Sequence, residues 1–214
     1  MKGLLLDFGG VISVTMFERH ARSEKALGLA PGSLTWRGPF DPGEDALWAD
    51  MTADRISERD YWSQRATQVG RLFGEDWDAL TLFRRTHGPD PNLNVRPEAF
   101  GAVRKAKAAG MRVGVLSNEL ELFYGRETLE GLDILKLMDC VVDATLTHIL
   151  KPDPRAYALG CEALGLPPSE IVFVDDQARN VEGARRAGLV AVAFDVTRPA
   201  ESFAEAERAL GLAR

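Results

Sequence analysis

Apolar residues follow two different patterns along this chain. Short, largely apolar runs stand at Leu4–Leu6, Met111–Leu116, Val141–Val142, Ile171–Val174 and Val190–Phe194. Runs of that length without strict alternation fit strands covered on both faces. Among the later runs lie stretches with helical periodicity: Pro97–Ala109, Leu120–Leu137, Pro154–Leu164 and Ala178–Ala187. Gly110, Gly165 and Gly188 each follow a helix, where a left-handed residue is needed to close the last turn. Strands alternating with such helices predict parallel pairing and a doubly wound α/β sheet. Glu201–Leu212 is expected as a terminal helix packed on that core.

The stretch from Val14 to Asn94 reads differently. Helical patterns cover Phe17–Leu27, Ala46–Met51, Ser57–Phe73 and Trp77–His87, and no strand stands out. Ser57 is placed to cap its helix, with Asp60 as a weaker stand-in for the Glu or Gln of a capping box. Leu29–Glu44, rich in Gly and Pro, reads as loop. The expected organisation is therefore a Rossmann-like α/β core (1–13 and 95–214) with a helical insertion (14–94). Trp36, Phe40, Trp48 and Trp62 of the insertion could line a pocket, but such residues more often form the core of a small bundle.

Composition narrows the class without naming it. The chain has 214 residues, 45% hydrophobic and 27% charged, which is ordinary for a globular protein able to bury a sizeable core. A formal net charge of −6 argues against nucleic acid as the main partner. Cys140 and Cys161 read as two buried free thiols in a reducing compartment. Asp7 interrupts the only early apolar run, so no secretory signal is expected, and no stretch approaches transmembrane length. Cytoplasmic location and the absence of a membrane partner are the resulting expectations.

Ligands of open parallel sheets bind beyond the carboxyl ends of the strands. There the chain supplies Asp7, followed by Phe8-Gly9-Gly10; then Ser117 and Asn118; then Lys151 before Pro152; then Asp175 and Asp176. Taken singly, each has an ordinary explanation: a strand-ending turn, a surface lysine, or a carboxylate pair capping the next helix. Taken together, three carboxylates in one crevice would repel one another, and a hard divalent cation such as Mg²⁺ relieves that repulsion. Asp7 is then a candidate nucleophile, Ser117, Asn118 and Lys151 candidate phosphate ligands, and Gly9 and Gly10 allow close backbone approach. Asn180 is a candidate for orienting Lys151 or the loop, or for facing a helix end.

The same residues resemble the four motifs of the haloacid dehalogenase-like (HAD) superfamily. Asp7-Phe8-Gly9-Gly10-Val11 is similar to the first, Ser117-Asn118 to the second and Lys151-Pro152 to the third. Val174-Asp175-Asp176-Gln177-Ala178-Arg179-Asn180-Val181-Glu182-Gly183-Ala184 is similar to the fourth. The helical insertion looks like a type 1 cap, and Ile56–Trp62 resembles a cap segment of sugar-phosphate phosphatases and of the phosphatase domain of epoxide hydrolases. The resemblance implies an aspartyl-phosphate on Asp7 and a small phosphorylated metabolite as partner. It also implies Mg²⁺ held by Asp7, the backbone carbonyl of Gly9, Asp175 and Asp176.

One position departs from the pattern. Phosphatases of this superfamily usually carry a second Asp two residues after the nucleophile, as general acid and base; here that position is Gly9. Loss of a positioned acid/base costs roughly 10²- to 10⁴-fold in rate, or about 2.7–5.4 kcal/mol. Three expectations follow: phosphate-ester hydrolysis or phosphoryl transfer with atypical proton transfer, a metal-independent dehalogenase-type hydrolase, or a silent binding or regulatory module. Asp175-Asp176 argues against the second, because the resemblance implies that dehalogenases lose that acidic pair. Lys25, the only lysine of the insertion, is expected to be an exposed residue beside Arg22 and Glu24 rather than a Schiff-base lysine.

Overall fold

Three consecutive leucines can all be buried in a strand that has neighbours on both edges and cover on both faces. In the computed structural model, which describes residues 1–212, Leu4, Leu5 and Leu6 have no solvent exposure. They lie in β1 (Gly3–Leu6), followed by an irregular helical turn at Phe8–Ile12. Next come α1 (His20–Leu27), α2 (Ala46–Thr52), α3 (Glu58–Arg71), α4 (Ala79–His87) and α5 (Pro97–Ala108), then β2 (Arg112–Ser117). After it stand α6 (Leu120–Tyr124), α7 (Arg126–Glu130), β3 (Cys140–Asp143), α8 (Ala144–Thr147) and α9 (Pro154–Leu164). The chain continues through β4 (Ile171–Asp175), α10 (Ala178–Arg186), β5 (Val190–Ala193) and α11 (Pro199–Leu210).

All strand pairs are parallel, in the order β3-β2-β1-β4-β5. This is the doubly wound α/β sheet expected from the sequence. Leu5, Leu116, Tyr157, Leu164, Phe173 and Ala184 form one cluster under α9 and α10. Alternation along β1 turns Leu4 and Leu6 the other way, where α5 and α11 pack on the sheet and on each other. Gly110, Gly165 and Gly188 all have positive φ after their helices. Among the described residues, no helix is long and apolar enough to cross a membrane.

The expected single helix over Leu120–Leu137 is instead α6, α7 and a 3-10 turn at Leu135–Leu137. Gly125, at φ 73°, ends the first piece in a conformation no helix continues through. The helix expected from Phe17 starts at His20; ahead of it the Thr15 amide donates to Glu18 Oε2 (2.7 Å) and the Glu18 amide to Thr15 Oγ1 (3.2 Å). The Leu29–Glu44 loop carries two single 3-10 turns, Gly38–Phe40 and Pro42–Glu44. Both cysteines are free, but Cys140 is only half-buried.

The chain divides into two compact units, one of residues 1–14, 92–121 and 126–214, the other of residues 15–91 and 122–125. The second is helical. Trp36 and Trp62 are buried in it among Phe17, Tyr61 and Phe83; Trp48 is half-buried and Phe40 exposed, so Phe40 is not part of the core. Ser57 and Asp60 form a reciprocal capping box on α3. Lys25 is exposed as expected, but Glu24 is buried, its two oxygens accepting from the Gly32 and Leu34 amides. Asp45 is also buried. It pairs with Arg65 and accepts from Tyr61 Oη (3.0 Å) and the Trp48 and Gly38 amides (2.9 and 3.1 Å). Asp45→Ala would strand the Arg65 charge, which costs about 3–5 kcal/mol in such pairs; urea unfolding monitored by Trp fluorescence should show a loss of that order.

Candidate active site

Strand register determines which side chains meet at the carboxyl edge of the sheet. Leu6 pairs with Val174 of β4 on one side and Val115 of β2 on the other. Asp7 therefore emerges level with Asp175, and its amide donates to Val174 O (2.9 Å). The strand order reverses direction between β1 and β4, where open α/β sheets leave a crevice.

Lys151 joins the two strand ends. Its ammonium is buried and lies 2.9 Å from Asp7 Oδ1 and 2.6 Å from Asp175 Oδ2. Burial alone would lower its pKa, but Asp175 and then Asp7 outweigh burial and hold it above the ordinary lysine value. Asp175 also accepts from the Gln177 amide (2.8 Å) and from Asn180 Nδ2 (3.1 and 3.2 Å). Asp175 thus faces both Lys151 and the residue that precedes α10, and Asn180 bonds the carboxylate that Lys151 pairs with. Tyr157 Oη in turn donates to Asn180 O (2.7 Å).

One oxygen from each of Asp7, Asp175 and Asp176 can be chosen so that all lie within 4.8 Å of one another. An all-oxygen donor set from three carboxylates suits a hard divalent cation. Gly10 shapes the same place: its φ is 74°, and a Cβ there would sit 2.5 Å from Asp176 Oδ2. Gly9 is different, since a Cβ there meets nothing within 4 Å and its φ of −65° suits any residue.

Ser117 ends β2 and is buried, with Oγ 3.4 Å from Asn118 O. The Asn118 side chain is committed to the backbone of Lys151: Nδ2 donates to Lys151 O (3.0 Å) and Oδ1 accepts from the Lys151 amide (2.8 Å). This brace ties the end of β2 to the lysine loop.

Besides Tyr157, two positioning residues escaped the sequence reading. Arg96 is buried and donates from Nε to Gly10 O (3.0 Å), holding the turn after Asp7. Asp143 accepts from the amides of Leu120 (2.9 Å), Glu121 (2.8 Å) and Thr145 (2.9 Å), pinning the chain just after Ser117-Asn118. Asp143 was findable as a carboxylate at a strand's carboxyl end. Arg96 carried no local signal, because its partner is 86 residues away.

Residues 1–188 match the haloacid dehalogenase-like hydrolase family model, and the chain belongs to that family. It is 40% identical to a phosphatase of Mycobacterium tuberculosis over 99 residues, 46% of each chain. It is 34% identical to (S)-2-haloacid dehalogenase 1 of a Pseudomonas species over 115 residues, 52% of this chain and 50% of that one. The chain thus spans about half the length of these curated relatives. A solved HAD phosphatase from Thermococcus onnurineus shares the fold with a TM-score of 0.60 at 20% identity, covering all of both chains.

Asn180→Ala removes the side-chain donor to a buried carboxylate and should cost about 1–3 kcal/mol. Asn180→Asp, which substitutes a like charge, should cost more; chemical denaturation of both variants checks the order.

Proposed function

We propose that this hydrolase cleaves phosphate monoesters with Asp7 as nucleophile and Mg²⁺ held by Asp7, the Gly9 carbonyl, Asp175 and Asp176. The observation that carries the reading is the convergence of three carboxylates on one point beside the Lys151 ammonium. Asp7 attacks phosphorus, the carboxylate oxygen–phosphorus bond forms, and the ester oxygen leaves with its electron pair. Water then attacks the acyl phosphate, releasing inorganic phosphate and regenerating Asp7. Lys151 orients Asp7 through Oδ1 and offsets negative charge on the phosphoryl oxygens, with Ser117 Oγ and the Asn118 amide as further donors. Bound Mg²⁺ supplies the positive charge that lets these carboxylates sit beside an anionic substrate.

The reading includes a preference among substrates. Gly9 offers no proton to the departing oxygen, so esters whose leaving group is stable as an anion, such as aryl or acyl phosphates, react best. A second reading draws on the same glycine. Displacement of halide from a haloacid needs no proton on the leaving group, and one relative is a haloacid dehalogenase. Metal dependence separates the two.

Hydrolysis of an aryl phosphate should require Mg²⁺, stop on chelation and vanish in Asp7→Asn. Halide release from a 2-haloacid without metal, together with no phosphatase activity, would replace the first reading by the second. A Cβ at Gly9 meets nothing within 4 Å. Gly9→Asp should therefore raise turnover of alkyl phosphates by roughly 10²- to 10⁴-fold and that of aryl phosphates much less; steady-state rates on both substrate classes measure the difference.

A further inference from the structure

Helix α1 turns a polar side into the interior of the helical unit. Arg19, at its N-terminal boundary, is 3% exposed, His20 is 5% and Ser23 is fully buried. The Ser23 amide donates to Arg19 O (2.9 Å), so the helical turn already includes Arg19. At 100° per residue, Ser23 lies between Arg19 and His20 on one side of the helix.

These three side chains share a deficit. Arg19 Nη1 donates to Thr86 O on α4 (2.9 Å), but Arg19 Nε has no partner. Ser23 Oγ and both ring nitrogens of His20 also have none. The two buried carboxylates of this unit, among the described residues, are committed elsewhere: Glu24 to the Gly32 and Leu34 amides, Asp45 to Arg65, Tyr61 and two amides. Burial pushes Arg19 down to about 10, with the Tyr124 phenol opposing and Arg22 adding to the effect. At neutral pH it still carries its charge. His20 is pushed down to about 4 by burial, then by Arg37, against a pull from Glu24, with Arg19 and Arg65 adding; it is neutral at pH 7 and has one N–H to give.

A buried cation facing no carboxylate, beside a hydroxyl and an imidazole able to donate, lacks a negatively charged acceptor. With Nη1 on Thr86, the side of the guanidinium made by Nε and Nη2 remains, and its two parallel N–H groups match the two oxygens of a carboxylate. We propose that Arg19, with Ser23 and His20, forms a binding site for the carboxylate of a small-molecule ligand within the helical unit. The site is built from α1 against α4 and does not depend on the chemistry at Asp7.

The test follows the Arg19 Nε–H signal by NMR in the ¹⁵N-labelled full chain, assigned by its loss in Arg19→Lys. Acetate is titrated at pH 7 and constant ionic strength, with chloride and inorganic phosphate as parallel arms. A saturable acetate shift is expected, unchanged in Asp7→Asn, with little response to chloride. Removing a donor to a charged group should weaken the midpoint roughly tenfold in Ser23→Ala. An Arg19 signal that acetate does not move, or that chloride moves equally, overturns the proposal; a response to phosphate and not to acetate overturns the carboxylate assignment. In parallel, acetate should raise the thermal midpoint of the parent protein and not of Arg19→Met, and an equal rise in both would count against the site. Should Arg19→Met not fold, the parent titration and Ser23→Ala still decide.

Discussion

The ammonium of Lys151, shared between Asp7 and Asp175, is the contact on which the rest of the site depends. Both carboxylates stand level at the ends of neighbouring parallel strands, where alone they would repel each other. A buried lysine is costly unless paired and hydrogen-bonded, and here it is held by two partners. The third carboxylate, Asp176, brings an oxygen to within 4.8 Å of oxygens of the other two. Three oxygen donors so placed suit a hard divalent cation.

The surrounding groups keep this arrangement in place. Asn118 clasps the backbone of Lys151, Asn180 holds Asp175, and Tyr157 holds the backbone of Asn180. Arg96 draws in the turn after Asp7 by its contact with Gly10 O, while the missing side chain of Gly10 leaves room for Asp176. Asp143 does the corresponding work after β2. Each of these residues acts through another, so the chemistry of a few side chains rests on a wider set of hydrogen bonds.

Membership of the haloacid dehalogenase-like hydrolases covers both carbon–halogen and phosphate-ester chemistry, as the named relatives illustrate. The acidic cluster and Gly9 pull in different directions within that range. The cluster offers a metal an all-oxygen donor set. Gly9 has no side chain with which to donate a proton, which is why the proposed chemistry favours good leaving groups.

Much of the core was legible in the sequence because buried parallel strands are local apolar runs and their ends are the positions just after them. Leu4–Leu6, Ile171–Val174 and the glycines closing the helices could be read that way, and with them the placing of Asp7, Asp175 and Asp176. The break at Gly125 was less visible, since helical periodicity continues across it while the backbone does not. What the chain order alone could not convey is which strand ends are level and which side chains reach across. Register brought Asp7 beside Asp175, and contacts over tens of residues made Arg96, Asn118 and Asp143 supports of the site. Likewise Glu24 and Arg19, charged residues of a short helix that reads as exposed, are buried because tertiary packing, not helical periodicity, determines which face of α1 is covered.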